Sequence, residues 1–213
     1  MSRPFMVLVV GRSSSARRQA RSLGGKSGLA RDGNMIKHAT AGAFVFCSFP
    51  DGWRLGLVEH PRMGVFACPG GHVEEHESQA EAAVREVQEE TGLTEVRLLE
   101  PSAPALPAGF PPTHARVPLP WWITEMHVPA DNHLAAGHVH VDHVWVGVAA
   151  DPRSATRPAH PFAWHTADEV AVLPMFEDAR LLASVLFSCI RDLDAGSLSG
   201  PAILAPLAAA AAD

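Results

Sequence analysis

The sequence predicts an α/β protein, because extended segments along the chain are interrupted by amphipathic helices. A β-hairpin is indicated by a continuous apolar run at 43–47, a Pro-Asp-Gly turn at 50–52 and an extended segment at 53–59. A helix is indicated at 78–91, where Gly and Pro are absent and small apolar residues share one helical face. Apolar residues at helical spacing indicate a second long helix at 176–193.

The remaining predicted elements are shorter. They are strands at 65–68, 93–99, 121–128 and 139–149, and a turn of helix at 166–172. The first long helix has recognisable ends, since Ser78 and Glu81 have the spacing of a capping box and Gly92 follows the last helical residue. Residues 101–120 contain seven prolines and are therefore expected to form an irregular excursion.

Charge is distributed unevenly along the 213 residues. The formal net charge is −6, but residues 1–34 hold seven basic residues and one acidic residue, which leaves 10 basic and 22 acidic residues elsewhere. A domain this acidic is not expected to bind nucleic acid. Residues 11–34 show no sustained period, and residues 1–34 are predicted to be a disordered basic extension, with Met35 as an alternative start of the protein. The folded domain is predicted at 35–194, followed by a flexible alanine-rich tail at 195–213.

The cysteines favour a reducing compartment. Cys47, Cys68 and Cys189 are an odd number at wide spacing, and none belongs to a C-x-x-C pair. No run approaches the roughly 18 to 20 consecutive apolar residues of a membrane helix. We therefore expect a cytoplasmic protein without a membrane partner.

Three carboxylates cluster in the first long helix. Glu86, Glu89 and Glu90 stand at positions i, i+3 and i+4, so a helix places them on one face. Such clustering is destabilising unless a cation offsets it, and carboxylate oxygens are the ligands that Mg²⁺ prefers. The Gly70-Gly71 loop upstream lets the backbone approach such a cation without a Cβ in the way. A solvated acidic helix face is the alternative interpretation.

The spacing of these residues resembles the Nudix box, G-x5-E-x7-R-E-U-x-E-E-x-G-U, where U is an aliphatic residue. Residues 71–93 read GHVEEHESQAEAAVREVQEETGL, and every specified position matches, including Val87 and Leu93 at the aliphatic places. The resemblance extends over residues 36–193, because a strand ending in Pro-Gly-Gly precedes the box and a Trp164-x4-Glu169 segment follows it. It implies a Nudix-like α/β/α sandwich with a mixed β-sheet.

The resemblance also implies a site, residue by residue. It makes Gly71 and Gly92 the glycines of the box and implies a set of ligands for Mg²⁺ or Mn²⁺, namely Glu86, Glu89, Glu90 and the Gly70 carbonyl. Glu77 and Arg85 would be the supporting pair of the catalytic machinery, since an arginine can hold a carboxylate through two hydrogen bonds. The general base is predicted to be Glu86 or Glu89, because the loop at 151–163 contains no glutamate.

The activity that the resemblance implies is hydrolysis of a nucleoside diphosphate linked to another moiety. The substrate would be a nucleotide-type small molecule, such as a nucleoside triphosphate, an oxidised nucleoside triphosphate, a nucleotide sugar or ADP-ribose. A nucleotide-sensing module without turnover is the alternative, although such modules usually have eroded box glutamates. An isoprenoid-diphosphate isomerase is a further alternative, for which no catalytic Cys and Glu pair is found by position. A homodimer is common in the family.

Two further groups are candidates for substrate contact. His138, His140 and Asp142 alternate with valines, so a strand places them on one face. This face is predicted to be exposed to solvent or substrate, and a second metal site is the alternative, because imidazoles suit Zn²⁺ or a transition metal. Trp121 and Trp122 end the proline-rich excursion, where an indole ring can stack on a base.

Overall fold

The computed structural model describes residues 35–131 and 133–197. This part of the chain forms eight strands and three helices. The strands are β1 (Lys37–Phe49), β2 (Gly52–Glu59), β3 (Phe66–Ala67), β4 (Gly70–His72), β5 (Val96–Leu99), β6 (Trp122–Val128), β7 (His138–Ala149) and β8 (Phe162–His165). The helices are α1 (Gln79–Thr91), α2 (Ala167–Val172) and α3 (Glu177–Asp194).

The strands form one mixed sheet with β1 and β7 at its centre. These two strands run parallel, and their register pairs Lys37 with Val139 and Phe46 with Val148. Along its other edge, β1 pairs antiparallel first with β4 and then with β2. The other edge of β7 pairs antiparallel with β6 and then with β5, while β8 and β3 pair with β2. Each central strand therefore pairs with two shorter strands, which follow one another along its outer edge.

Helices cover both faces of the sheet, because side chains along β1 alternate between two apolar clusters. Val45 packs in one cluster with Ala83 and Val87 of α1. Phe46 packs in the other with Leu186 of α3. Two layers of helix around one sheet confirm the predicted α/β/α class with a mixed β-sheet.

Helix α1 has the ends that the sequence predicted. The Ser78 hydroxyl accepts a hydrogen bond from the Glu81 N–H, and the Glu81 carboxylate accepts one from the Ser78 N–H, which completes the capping box. Gly92 ends the helix in the left-handed conformation at φ 72°, and a Cβ there would overlap the Thr156 carbonyl oxygen. A side chain at position 92 is therefore disfavoured by both conformation and space.

Several elements differ from the sequence prediction. Gly70 and Gly71 were predicted as a loop but belong to strand β4, since the backbone of residues 70–72 pairs with β1. Strand β8 was not predicted, and β5 begins at Val96 rather than at residue 93. The hairpin of β1 and β2 and the irregular excursion at 101–120 agree with the prediction.

Some predictions fall on residues that the structure does not describe. The basic extension predicted at 1–34 and residues 198–213 of the predicted tail lie outside the described residues. Within the described residues, no helix combines the length and apolar character that crossing a membrane requires.

Candidate functional site

The glutamates of α1 lie against the short strand β4. Glu86 and Glu90 are one helical turn apart, and their side chains are only 14% and 17% exposed. Glu90 Oε2 accepts a hydrogen bond of 3.0 Å from the Gly70 N–H. The Glu89 side chain extends outward and is 59% exposed. The structure thus brings the three predicted metal ligands to one end of α1, two of them largely buried.

Burial disfavours the charged forms of the two inner carboxylates. Burial is the main cause that raises the pKa of Glu90 to about 7, and the negative charges of Glu86 and Glu89 add to it. The pKa of Glu86 is also raised, mainly by burial, although its ion pair with Arg85 opposes the shift. Two buried carboxylates that resist ionisation in this way are a donor set that suits a hard divalent cation.

Arg85 connects the carboxylates to the strand. Its Nε and Nη2 donate to the Glu77 carboxylate, at 3.0 and 2.7 Å, and its Nη1 donates to Glu86 Oε1 at 2.8 Å. Nη1 also lies 3.2 Å from Glu89 Oε2, and Nη2 donates to the His72 carbonyl at 2.9 Å. The hydrogen bonds from Arg85 to the Glu77 carboxylate are the main cause that lowers the pKa of Glu77. Arg85 therefore fixes the segment before α1, the helix and the end of β4 together.

Two glycines of β4 allow this close approach. A Cβ on Gly71 would lie 2.6 Å from the Glu86 Cδ, so a side chain there would displace the carboxylate. A Cβ on Gly70 would lie 2.8 Å from the Ala41 carbonyl oxygen in β1. Position 70 therefore needs glycine for strand pairing, and position 71 needs it for the site. The role of the Gly70 carbonyl as a ligand stays a prediction.

The loop after β7 binds the C-terminal end of α1. The Ala159 N–H donates to the Glu89 carbonyl, the Ser154 hydroxyl to the Thr91 carbonyl, and the Ala155 N–H to the carbonyl of the capping residue Gly92. Such bonds satisfy carbonyls that have no partner within the helix. They also place His160 beside the carboxylates, with its Nε2 3.5 Å from Glu90 Oε1. The prediction considered only glutamates in this loop and missed His160, for which the sequence has no spacing signal.

The structure separates Asp142 from His138 and His140, which were predicted to share one face of a strand. Asp142 accepts a hydrogen bond of 2.8 Å from the Thr40 hydroxyl. His138 and His140 instead join two histidines from other strands in a group that we call the histidine cluster: His38, His72, His138 and His140. His138 is 0% exposed, so the prediction that this strand face is open to solvent is wrong at that position.

The tryptophans of the proline-rich excursion lie at the edge of the core on the α3 side. Trp121 and Trp122 both pack, half-buried, against the cluster that contains Leu186. The Trp121 indole N–H donates to the Leu99 carbonyl at 2.7 Å. That bond and the packing hold Trp121 in place. The contact of Trp121 and Trp122 with substrate stays a prediction.

This chain belongs to the NUDIX family, because the family model of the NUDIX domain matches residues 38–183, more than half of its length. This match confirms the resemblance, and the complete Nudix box at 71–93 lies inside the matched region. A comparison with curated protein sequences found no match.

This chain is similar to solved structures, and the first of those named here shows the same fold. A hydrolase of the NUDIX family from Clostridium perfringens has 18% sequence identity and a TM-score of 0.56, over 73% of this chain and 99% of the other. An Ap4A hydrolase from C. elegans has 13% identity and a TM-score of 0.49, over 75% and 98%. The NUDIX domain of NrtR from Shewanella oneidensis, in complex with ADP ribose, has 16% identity and a TM-score of 0.45, over 84% and 98%.

Proposed function

We propose that this protein is a Mg²⁺- or Mn²⁺-dependent hydrolase that cleaves the phosphoanhydride bond of a nucleoside diphosphate linked to another moiety. The observation that supports this proposal most directly is the pair of buried carboxylates, Glu86 and Glu90, whose pKa values are both raised by burial. A solvated acidic face would leave both groups exposed. A site that receives divalent cations and a diphosphate accounts for their burial.

The residues that would hold the cation are Glu86 and Glu90, with Glu89 at the open side. When bound, a divalent cation supplies Lewis-acid stabilisation of the charge that develops on the diphosphate oxygens. Arg85 keeps the Glu86 carboxylate in place through their 2.8 Å hydrogen bond. Glu77 in turn fixes the Arg85 guanidinium, so we assign these two residues a positioning role.

The general base is proposed among the same glutamates. Glu86 is packed on Gly71 and bound by Arg85, which leaves its carboxylate little freedom to turn toward a water molecule. The Glu89 carboxylate is 59% exposed and makes a single longer contact with Arg85. These contacts favour Glu89 as the group that accepts a proton from the attacking water.

Substrate recognition is proposed for the sheet face next to the proline-rich excursion. Trp122 offers a half-buried indole ring at the start of β6, and base stacking on such a ring is sequence-tolerant. Trp121 would support that ring, since the two ring centroids are 6.3 Å apart. For Asp142 we retain a contact with substrate as a proposal, with its bond to Thr40 fixing the carboxylate.

The test is release of product from a panel of candidate substrates with Mg²⁺ or Mn²⁺. The panel contains nucleoside triphosphates, oxidised nucleoside triphosphates, ADP-ribose, dinucleoside polyphosphates and NAD(H), and the products measured are nucleoside monophosphate and pyrophosphate. We expect turnover of at least one compound, abolished by EDTA and restored by excess Mg²⁺. Turnover that continues in EDTA would contradict the metal dependence.

Matched variants locate the activity. Glu90→Gln should lower kcat/KM by about 100-fold or more, the usual loss when transition-state charge stabilisation is removed. Glu75→Gln, an exposed glutamate in the same segment, should retain the activity of the wild type. Equal activity of Glu90→Gln and the wild type would contradict the site. Tight nucleotide binding without turnover on the whole panel would instead support a sensing module.

A further inference from the structure

The histidine cluster lies where three strands meet at one end of the sheet. Its members come from the start of β1, the end of β4 and the start of β7. The parallel register places His38 beside His140, and the antiparallel register places His72 beside Thr40, one alternation from His38. Strand pairing rather than sequence proximity therefore brings the four imidazoles together.

The imidazole nitrogens converge closely enough to share one ion. One nitrogen from each of the four rings lies within 4.8 Å of the others. The Nε2 atoms of His138 and His140 are 3.1 Å apart. Nitrogen ligands about 2.0–2.1 Å from a zinc ion in a tetrahedral site are about 3.4 Å from one another. The observed separations, 3.1 Å for His138 and His140 and no more than 4.8 Å for any pair, are close to that value.

Two members of the cluster have buried nitrogens without a partner. His38 Nε2 and His72 Nε2 are inaccessible to solvent and make no hydrogen bond. A buried polar atom of this kind costs free energy unless it receives a ligand.

The hydrogen bonds of His138 orient it as a ligand. Its Nδ1 lies 3.0 Å from the Ala136 carbonyl oxygen, which can only accept, so Nδ1 carries the proton. In a neutral ring Nε2 then keeps its lone pair, and this atom lies 3.1 Å from His140 Nε2. A second ring nitrogen that donates to a backbone carbonyl is the usual arrangement of a metal-bound histidine.

A neighbouring loop adds a negative charge to this group. Asp131 Oδ2 lies 3.3 Å from His138 Nε2 and 3.7 Å from His140 Nε2. The His133 ring stacks on His72 with their centroids 3.9 Å apart. The Asp131 carboxylate accepts hydrogen bonds from the N–H groups of His133 and Leu134, which hold it in this position. A cation in the cluster would thus have a fixed carboxylate beside it.

We propose that the histidine cluster is a binding site for one divalent transition-metal ion of the zinc class. Four imidazoles are a donor set that suits Zn²⁺, Co²⁺, Ni²⁺ or Cu²⁺, whereas Mg²⁺ prefers oxygen ligands. A core of satisfied histidines does not explain the orphaned nitrogens of His38 and His72. The proposed site differs in both ligands and preferred ion from the carboxylate site of the box.

The two sites lie on opposite faces of β4. Successive side chains of a strand point to opposite faces, so position 71 faces α1 and Glu86, and His72 faces the histidine cluster. The two sites are linked through the backbone at this point, because Arg85 Nη2 binds the His72 carbonyl. Occupation of the histidine cluster would therefore fix the end of β4 beside the box.

The test uses the full chain without a polyhistidine tag, stripped of metal by chelation and returned to buffer with excess Mg²⁺. Zn²⁺ is then titrated calorimetrically, and Co²⁺ is added in parallel while its visible absorption is recorded. We expect one Zn²⁺ per chain and the intense absorption of four-coordinate Co²⁺. Substoichiometric Zn²⁺ binding by the wild type, or only the weak absorption of six-coordinate Co²⁺, would overturn the proposal.

Variants assign the bound ion to its ligands. His38→Ala and the milder His140→Gln should each weaken Zn²⁺ binding by about tenfold or more, since even an outer-shell partner typically contributes 10- to 100-fold. His114→Ala, at an exposed histidine of the proline-rich excursion, and Glu90→Gln should bind Zn²⁺ as the wild type does. Unchanged affinity in folded His38→Ala and His140→Gln, or loss in Glu90→Gln alone, would contradict the assignment. If both histidine variants fail to fold, the wild-type stoichiometry and Co²⁺ absorption decide.

Discussion

Gly71 lies so close to the Glu86 carboxylate that the site requires a residue without a side chain at position 71. A Cβ at position 71 would stand 2.6 Å from the Glu86 Cδ, well inside van der Waals contact. The carboxylate also accepts a hydrogen bond of 2.8 Å from Arg85 Nη1. A side chain at position 71 would therefore push the carboxylate away and disturb its ion pair with Arg85.

Gly71→Ala should therefore damage the site. The added methyl must displace the Glu86 carboxylate or β4, and overpacking of this kind typically costs about 1–3 kcal/mol in the free energy of unfolding. We also expect weaker Mn²⁺ binding, measured by calorimetry. Gly137→Ala is the matched control, because its Cβ would meet its nearest neighbour at an ordinary 3.5 Å. Equal Mn²⁺ affinity in the two variants would contradict this account.

Arg85→Lys should loosen the same group of side chains. An ammonium cannot reproduce the fork of donors that binds Glu77, Glu86 and the His72 carbonyl together. We expect the free energy of unfolding, from urea denaturation, to fall by about 1–3 kcal/mol. Arg153→Lys, whose partner is exposed, should change it by less than about 0.5 kcal/mol. Similar losses in both variants would show that Arg85 has no special structural role.

Glu77 should make stability depend on acidic pH. Its folded-state pKa lies below the usual 4.5, chiefly because Arg85 hydrogen-bonds the carboxylate. The stabilisation is therefore fully present above the unfolded-state pKa and is lost as the pH falls through the folded-state value. The difference in unfolding free energy between wild type and Glu77→Gln should stay constant from neutral pH to about 4.5 and shrink below it.

Urea denaturation at a series of pH values measures this difference. Glu75→Gln, at an exposed glutamate two residues away, is the matched control. A difference for Glu77→Gln that persists unchanged at the acid end would mean that the ion pair does not lower the pKa.

Leu186→Ala tests the core that supports the sheet on the α3 side. Leu186 is 0% exposed, and its truncation should cost about 2–5 kcal/mol because a cavity remains. Leu181, on the same helix, is 52% exposed, and Leu181→Ala should cost less than about 0.5 kcal/mol. Thermal and urea denaturation of the two variants measure the contrast. Comparable losses would show that α3 does not pack as described.

The parts of the molecule that were predictable from sequence depend on local spacing. Helix α1, its capping box and its terminal Gly92 follow from residues within one turn of each other. The convergence of Glu86, Glu89 and Glu90 on one end of α1 needs only the helical period, and the structure agrees. Strands β4 and β8, of three and four residues, were missed because such short segments show no alternation of their own.

The histidine cluster was beyond prediction for a related reason. The alternation of His138 and His140 is visible in the sequence, but His38 and His72 join them only through the register of β1 with β7 and β4. A shift of one residue in either register would turn those rings to the other face. The alternation within one strand does not reveal which residues of a distant strand lie beside it.

The parallel pairing at the centre of the sheet also governs when this domain can fold. Thr40 and Asp142, which share a hydrogen bond across β1 and β7, are 102 positions apart in the chain. Folding is slow when contacts join distant parts of a sequence, because the intervening loop must close first. During synthesis, β1 therefore cannot form its parallel pairing until β7 has emerged from the ribosome. A nascent chain that stops before residue 138 should remain unfolded and depend on chaperones.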